Sequence, residues 1–145
     1  MKLQQLSLFL ENRPGRLDAP LEAIAAAGIN ILTLSLADTA QFGILRLIVR
    51  DWDRARQVLE DGGWIVNLTE VIAVDVEDRP GGLAEVLKVL DQAGVNIEYM
   101  YAFSSHRPGK AMLIFRFEDP DQAVAVLRQH DLRIVDGDEL HAEDH

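Results

Sequence analysis

The sequence contains no cysteine, few aromatic residues and fewer basic than acidic side chains. The absence of cysteine excludes disulfide bonds, thiolate zinc sites, iron–sulfur clusters and a cysteine nucleophile. The chain has 14 Lys and Arg residues against 24 Asp and Glu residues, which gives a net charge of −10, and its basic residues are scattered. A negative field of that size repels phosphate backbones and anionic lipids, so we expect no nucleic-acid partner and no membrane partner.

Long hydrophobic runs are also missing. The longest apolar stretches, such as residues 44–49, are interrupted by charge and are far too short to cross a bilayer. The first residues show neither the apolar segment nor the cleavage site of a secretory signal, so we expect a cytoplasmic protein. Hydrophobic residues nevertheless make up 48% of the 145 positions, which is enough for one ordinary domain or two very small ones.

One segment of the sequence occurs twice, 66 residues apart. Its first part reads Glu11-Asn12-Arg13-Pro14-Gly15-Arg16-Leu17 and returns as Glu77-Asp78-Arg79-Pro80-Gly81-Gly82-Leu83. Its second part reads Ala27-Gly28-Ile29-Asn30-Ile31 and returns as Ala93-Gly94-Val95-Asn96-Ile97. Over residues 11–31, 10 of the 21 positions are identical to their counterparts. Self-similarity at a fixed spacing indicates a duplicated structural unit.

Both copies predict the same order of elements. A strand (residues 3–10 and 71–76) precedes a helix that begins at Pro14 or Pro80 and ends at Gly28 or Gly94. Two strands follow (31–37 and 43–50; 97–103 and 111–118), then a helix (53–61; 120–129) and a last strand (64–68; 132–135). The order β-α-β-β-α-β is that of a ferredoxin-like unit, an antiparallel sheet with two helices on one face. We predict an α+β chain with one unit at residues 1–67, a second at 68–137 and an acidic tail at 138–145.

Each copy, with Asn/Asp-Arg-Pro-Gly-x-Leu after its first strand and Gly-Ile/Val-Asn-Ile before its second, resembles the ACT domain family. The resemblance implies a tandem ACT protein without catalytic activity or cofactor, which binds a small molecule, usually an amino acid, between adjoining ACT units. The first copy is most similar to the serine-sensing ACT domain of phosphoglycerate dehydrogenase. Serine is not implied, because Leu10 stands where the serine-sensing members carry a histidine two residues before the Asn.

The chemistry of the repeated motif also favours ligand binding. A helix N-terminus offers N–H groups and partial positive charge to a carboxylate, and Gly15 or Gly81 allows close approach to the backbone. An Asn amide both donates and accepts hydrogen bonds, and we expect Asn12 and Asn30 to emerge at the same end of the unit. The resemblance implies ligand-binding residues in the first copy (Asn12, Pro14, Gly15, Arg16, Leu17 and Asn30) and in the second (Asp78, Gly81, Gly82 and Asn96). Asp78 adds negative charge, so we expect the second site to be weaker or to prefer the ammonium end of a ligand. The alternative interpretation is that these residues only form turns and helix caps.

The remaining polar side chains suggest no catalytic residues and no metal site. His141 and His145 are interpreted as part of a solvated acidic tail, and His106 has no acidic partner nearby in sequence. Three classes of function stay open: a ligand sensor, which we prefer, a regulatory subunit that contacts a separate metabolic enzyme, and a small dimeric enzyme on the same fold. RNA binding is disfavoured because residues 43–47 lack stacking aromatic side chains.

Strand periodicity also predicts an interface. Alternation assigns three leucines of the first copy to the core beneath the helices (Leu32, Leu34 and Leu36) and three aromatics of the second copy to the face without helices (Tyr99, Tyr101 and Phe103). A row of aromatics on an open sheet face would form a large apolar patch, and such patches mark interfaces. We therefore expect a homodimer formed largely through that face of the second unit.

Overall fold

The computed structural model describes residues 2–38, 41–103 and 107–141. The chain divides into two compact units, one formed by Gln4–Thr69 and one that begins at Glu70 and also includes Lys2 and Leu3. The division falls inside one long strand. His106, His145 and the side chain of His141 lie outside the described residues. None of the helices in the described ranges is long and apolar enough to cross a membrane.

The first unit contains six elements: β1 (Leu3–Glu11), α1 (Asp18–Ala26), β2 (Thr33–Asp38), β3 (Phe42–Ile48), α2 (Trp52–Asp61) and the start of β4 (Val66–Glu77). β3 pairs antiparallel with β1 on one side and with β2 on the other, so β2 lies at the edge of the sheet. Apolar side chains from β1, β3 and both helices form the core: Leu6, Leu8, Leu10, Ile24, Leu45, Leu47, Val49, Ala55 and Leu59. Val66 and Leu68 of β4 pack against the same core.

The second unit repeats this plan with the rest of β4, α3 (Gly82–Gln92), β5 (Ile97–Phe103), β6 (Lys110–Phe117), α4 (Pro120–Gln129) and β7 (Ile134–Val135). β4 pairs antiparallel with β6 and β7, and β6 pairs with β5. The core again combines one sheet face with both helices: Ile72, Val74, Val76, Val86, Leu90, Val95, Leu113, Phe115, Phe117, Ala123 and Leu127. The predicted α+β class and the duplicated β-α-β-β-α-β order are confirmed.

The helices after the repeated motif begin later than predicted. α1 begins at Asp18 rather than at Pro14, and α3 begins at Gly82 rather than at Pro80. The cause is a left-handed residue in each motif, Gly15 with φ +85° and Gly81 with φ +87°, which a right-handed helix cannot contain. The predicted left-handed helix ends are confirmed, because Gly28 and Gly94 both have φ +72°.

The aromatic side chains of β5 lie on the predicted face but do not form an open patch. Tyr99 is opposite Arg116 and Tyr101 is opposite Ile114, whereas Met100 between them packs against the core. Both tyrosines and Phe103 are only partly exposed, and Ile114 is fully buried. The expected exposed aromatic row, on which the predicted homodimer interface rested, is therefore wrong.

The predicted acidic tail contains a short helix on that side of the second unit. This helix, α5 (Gly137–His141), carries the fully buried Leu140. Its Glu139 is paired with Arg133, whose Nη1 lies 2.5 Å from Oδ2 of the buried Asp75. Asp75 follows Val74 and precedes Val76, two core residues, so its side chain is on the face away from the helices. The buried leucine and these ion pairs hold α5 against the folded unit.

Among the residues that the structure describes, the large exposed hydrophobic side chains belong to the first unit: Phe9, Leu34, Leu36, Phe42 and Ile65. Leu34 and Leu36 lie opposite the core residues Leu47 and Leu45, so they are on the predicted face. They are nevertheless 46% and 50% exposed, so their predicted burial is wrong. The reason is that β2 is an edge strand and α1 has 9 residues where α3 has 11.

Candidate functional site

The repeated motif folds into the same turn in both units. In the first unit the N–H of Asn12 donates to the Gln41 carbonyl (3.1 Å) and the N–H of Arg13 donates to the Glu11 carbonyl (2.9 Å). In the second unit the N–H of Asp78 donates to the Gly109 carbonyl and the N–H of Arg79 to the Glu77 carbonyl, both at 3.0 Å. The turn is therefore a property of the duplicated sequence and not of one copy.

The turn is followed by a helix whose first N–H groups have no side-chain cap. Leu17 occupies the N-cap position of α1 and Gly81 that of α3, and neither helix start has a capping side chain. By contrast, Asp51 caps α2 by accepting from the N–H of Arg54 at 3.3 Å, and Asp119 caps α4 in the same way. Uncapped N–H groups and the helix dipole provide a place for a carboxylate at the two motif helices.

A cavity of about 370 Å³ lies beside the first motif. Residues 10–15 form most of its lining, and Leu17 and Leu36 complete it. The sequence-predicted residues Asn12, Pro14, Gly15 and Leu17 are thus brought together. Arg16 lies next to them and contributes to a second, shallower surface formed with Arg13, Pro14 and Gly15.

Two guanidinium groups share one carboxylate at this cavity. Arg13 Nη2 lies 2.6 Å from Glu11 Oε2, and Arg16 Nε lies 3.9 Å from the same oxygen. All three side chains are more than half exposed, so the pairs are screened by water and can rearrange at little cost. Two guanidinium groups thus lie beside the uncapped start of α1, where they can pair with an anionic group, and Glu11 and Asp18 balance their charge.

The second motif has different charges on the same backbone. Residues 11–19 carry no net charge, whereas residues 77–85 carry a net charge of −2. Arg79 turns along α3 and donates to both Glu85 oxygens, at 3.0 and 2.8 Å. Glu77 pairs with Lys110 at 2.5 Å, and that hydrogen bond lowers the pKa of Glu77 below its ordinary value. Arg79 is the single guanidinium of this motif, and the net charge of −2 is less favourable to a ligand carboxylate than the balanced charge of the first motif.

Gly82 has a packing reason to be glycine. A Cβ at this position would lie 1.9 Å from the carbonyl oxygen of Glu77, because α3 begins directly against the end of β4. Its counterpart Arg16 carries a full side chain because α1 begins two residues later, at Asp18. A cavity of about 320 Å³ does adjoin Gly82, Val86 and Leu132, but Asp78, Gly81 and Asn96 are not part of its lining.

The prediction that Asn12 and Asn30 emerge at the same end of the unit is wrong. Asn12 follows the end of β1, where Glu11 lies opposite Phe42, and Asn30 precedes β2, whose Thr33 lies opposite Ile48. Phe42 and Ile48 are the two ends of β3, about 20 Å apart at 3.3 Å per residue. β1 and β2 run in the same direction. The end of β1 and the start of β2 therefore lie at opposite ends of the strands.

The second unit has the same separation. Asp78 follows the end of β4, where Glu77 lies opposite Lys110, and Asn96 precedes β5, whose Ile97 lies opposite Phe117. Asn96 is occupied locally, because its Nδ2 donates to Glu118 Oε2 at 3.0 Å and its carbonyl accepts from the N–H of Glu118. Within one unit, therefore, no single amino acid can contact both members of either pair.

Sequence reasoning missed two lining residues of the first cavity, Leu10 and Leu36. Leu10, which stands where serine-sensing ACT domains carry a histidine, was not counted as a ligand-binding residue and is 7% exposed, and Leu36 was assigned to the core beneath the helices. Periodicity gives the face of a strand residue but not whether a helix covers it, so no sequence signal separates Leu36 from a core leucine.

In the described ranges, no three metal-binding side chains lie close enough to hold a metal ion.

Comparison with protein families identifies the duplicated unit. The family model for an ACT domain pair matches residues 1–143. The chain belongs to the ACT domain pair family. The resemblance of each motif to ACT domains is thereby confirmed, whereas the closer similarity of the first copy to phosphoglycerate dehydrogenase stays a prediction.

Solved structures agree with this assignment. Protein BT0572 from Bacteroides thetaiotaomicron is 39% identical, with coverage of 97% of this chain and 96% of that chain and a TM-score of 0.91. The regulatory subunit of aspartate kinase from Thermus thermophilus is 18% identical, with coverage of 88% and 91% and a TM-score of 0.62. The second similarity establishes only a shared fold. Among curated protein sequences, none matches this chain.

Membership in the ACT domain pair family indicates a regulatory role that depends on binding a small ligand. The family supports the ligand-sensor class among the three that the sequence left open. Family membership does not identify the ligand. The residues that line the first cavity indicate which chemical groups the ligand carries.

Proposed function

We propose that this ACT domain pair senses an amino acid, which binds at the first motif. The observation that carries the proposal is the cavity of about 370 Å³ formed by the motif residues Asn12, Pro14, Gly15 and Leu17. Its positive rim, formed by Arg13 and Arg16, is suited to the α-carboxylate, which charge-assisted hydrogen bonds would hold. The exposed Asn12 amide and the Glu11 carboxylate are available to the α-ammonium group.

The second motif is proposed as a weaker site or as a structural copy. Asp78, Gly81 and Asn96 keep the family pattern, but Arg79 is engaged by Glu85 and the segment carries net negative charge. A ligand carboxylate would meet net negative charge there and one guanidinium instead of two. The pseudo-equivalent positions Asn12 and Asp78 therefore provide a matched pair for experiment.

A second copy of the chain would let Asn30 take part in the first site. β2 is an edge strand, and an antiparallel pair of β2 strands related by a two-fold axis places the motif end of one first unit beside the Asn30 end of the other. Such pairing would also cover Leu34, which is 46% exposed. We therefore propose the expected homodimer at the β2 edge of the first unit instead of at the aromatic face of the second.

The test is a thermal-shift screen of the twenty amino acids on the full chain and on two variants, Asn12→Ala and Asp78→Ala. A ligand at a hundred times its dissociation constant stabilises the fold by about 2.7 kcal/mol, a shift of several degrees at this size. Asn12→Ala should lose most of the shift and Asp78→Ala should keep it. Absence of any shift in the wild-type protein would overturn the proposal, and equal losses in both variants would overturn the assignment to the first motif.

Regulation through contact with a separate metabolic enzyme is a second candidate function. It is favoured by Phe9 and Phe42, which are 62% and 46% exposed on the face of the first unit away from its helices. Sedimentation of the isolated protein shows whether a second copy of this chain covers this face or whether the face remains open to another protein. If Phe9→Ser leaves both the oligomeric state and the amino-acid shift unchanged, the surface is available to another protein; a change in either one would argue against this candidate.

A further inference from the structure

The first cavity has one polar side and one apolar side. Its apolar side is formed by three leucines from different elements: Leu10 from β1, Leu17 from the turn before α1 and Leu36 from β2. Its polar side carries Glu11, Asn12 and Arg13 from the end of β1 and the turn. A ligand that fills the cavity must therefore bring a charged head and a body that tolerates leucine side chains.

Leu36 is the unusual member of the apolar side. It lies opposite Leu45, which is fully buried beneath the helices, yet half of Leu36 remains exposed. Leu10 contributes to the same wall at only 7% exposure, so most of the apolar surface open to a ligand comes from Leu36 and the half-buried Leu17. An exposed leucine that faces a cavity is a contact surface for an apolar group.

The same wall offers no partner to a polar side chain. A hydroxyl or carboxylate placed against Leu10, Leu17 and Leu36 would lose its hydrogen bonds to water without regaining them, which is costly. An aliphatic side chain in that position would instead bury apolar surface on both partners. The wall thus discriminates between amino acids by the polarity of their side chains. The charged rim binds the α-carboxylate and α-ammonium groups that all amino acids carry.

We propose that the first cavity selects amino acids with aliphatic side chains, such as leucine, isoleucine, valine and methionine, over serine and aspartate. Leu36 is the residue that sets this preference. The inference rests on the proposed function, because it assumes that the charged rim holds the α-carboxylate and α-ammonium groups. It assigns the chemical class of the ligand.

The test is titration calorimetry of the full chain with leucine, serine and aspartate. We expect leucine to bind at least tenfold more tightly than serine. In a hydrophobic pocket, a single methylene group already changes discrimination by about tenfold or more. Leu36→Asn should reduce this ratio by about tenfold, and Leu36→Ala should reduce it less, because it shortens the wall without adding a polar group. Ile65→Asn is the control, since Ile65 is an exposed apolar residue (82%) that lies outside β2 and does not line the cavity.

The outcomes separate this inference from the proposed function. If serine binds the wild-type protein as tightly as leucine does, an amino-acid site exists but the selectivity is wrong. If Ile65→Asn lowers the ratio as much as Leu36→Asn does, the effect does not belong to the cavity wall, and the role of Leu36 is refuted. If no amino acid binds at millimolar concentration, the proposed function fails and the inference fails with it.

Discussion

Replacement of Gly82 by alanine tests the packing of α3 against β4. The new Cβ would lie 1.9 Å from the Glu77 carbonyl oxygen and 3.0 Å from its carbon, so the helix start or the strand end must move by roughly 1 Å to restore an ordinary contact. Overpacking of this kind costs about 1–3 kcal/mol. Alanine is the better helix former by up to about 1 kcal/mol, which offsets part of that cost.

We therefore expect Gly82→Ala to destabilise the protein by about 1–2 kcal/mol, which lowers the melting temperature by about 3–7 °C. Thermal unfolding monitored by circular dichroism measures this directly. Arg16→Ala, at the equivalent position of the first unit, should change the unfolding free energy by less than about 0.5 kcal/mol because that side chain is exposed. A Gly82→Ala protein that melts at or above the wild-type temperature would refute the argument, and Gly82 would then need another explanation.

Three further changes test other contacts. Asp51→Ala removes the cap of α2 and should cost about 1 kcal/mol in chemical denaturation, whereas Asp53→Ala, which removes only an exposed pair with an arginine, should cost less than about 0.5 kcal/mol. Asp75→Asn removes the buried charge that binds two arginines and should cost about 2 kcal/mol; an unchanged denaturation midpoint would contradict the burial argument. The pKa of Glu77 lies below its ordinary value of 4.5, so its pair with Lys110 stabilises the fold above that pH, and the contribution is lost as the pH falls through the lowered pKa. Wild type should therefore be more stable than Lys110→Met at pH 6 and should lose that advantage in acid, whereas an advantage that persists at pH 2 would be inconsistent with this pair.

Most of the fold could be predicted from the sequence because local signals and the duplication agreed. The strand Ile97–Phe103 and the helix Pro120–Gln129 have the predicted bounds, and the glycines that close α1 and α3 are left-handed as expected. Each of these elements has its own local cause, either an alternating pattern, a proline and aspartate at a helix start, or a glycine at a helix end.

The missed features depend on contacts between distant residues. Helix α5 lies in a segment whose composition is acidic, and its order comes from the burial of Leu140 and the pairing of Glu139 with Arg133. The exposure of Leu36 depends on the length of α1, which begins at Asp18, two positions later in the repeat than α3 does. The alternation of residues along a strand predicts neither the contacts of α5 nor the extent to which a helix covers Leu36.

The error about Asn12 and Asn30 has a different origin. Sequence established that both residues flank the same helix, but the ends of a helix are also the two ends of the sheet that it crosses. The direction of β1 and β2 already implied that separation, so the topology could have corrected the prediction. Grouping residues by motif was reliable for the turn, where Asn12, Pro14, Gly15 and Leu17 do line one cavity.

Titration calorimetry of the wild-type protein and its Asn12→Ala and Asp78→Ala variants tests the central claim most directly. The titrant is the amino acid that gives the largest thermal shift. The account predicts one site per chain in the wild type, a loss of affinity of at least tenfold in Asn12→Ala, and little change in Asp78→Ala. Binding that survives in Asn12→Ala and disappears in Asp78→Ala would contradict it, because the ligand would then occupy the motif whose charges oppose a carboxylate.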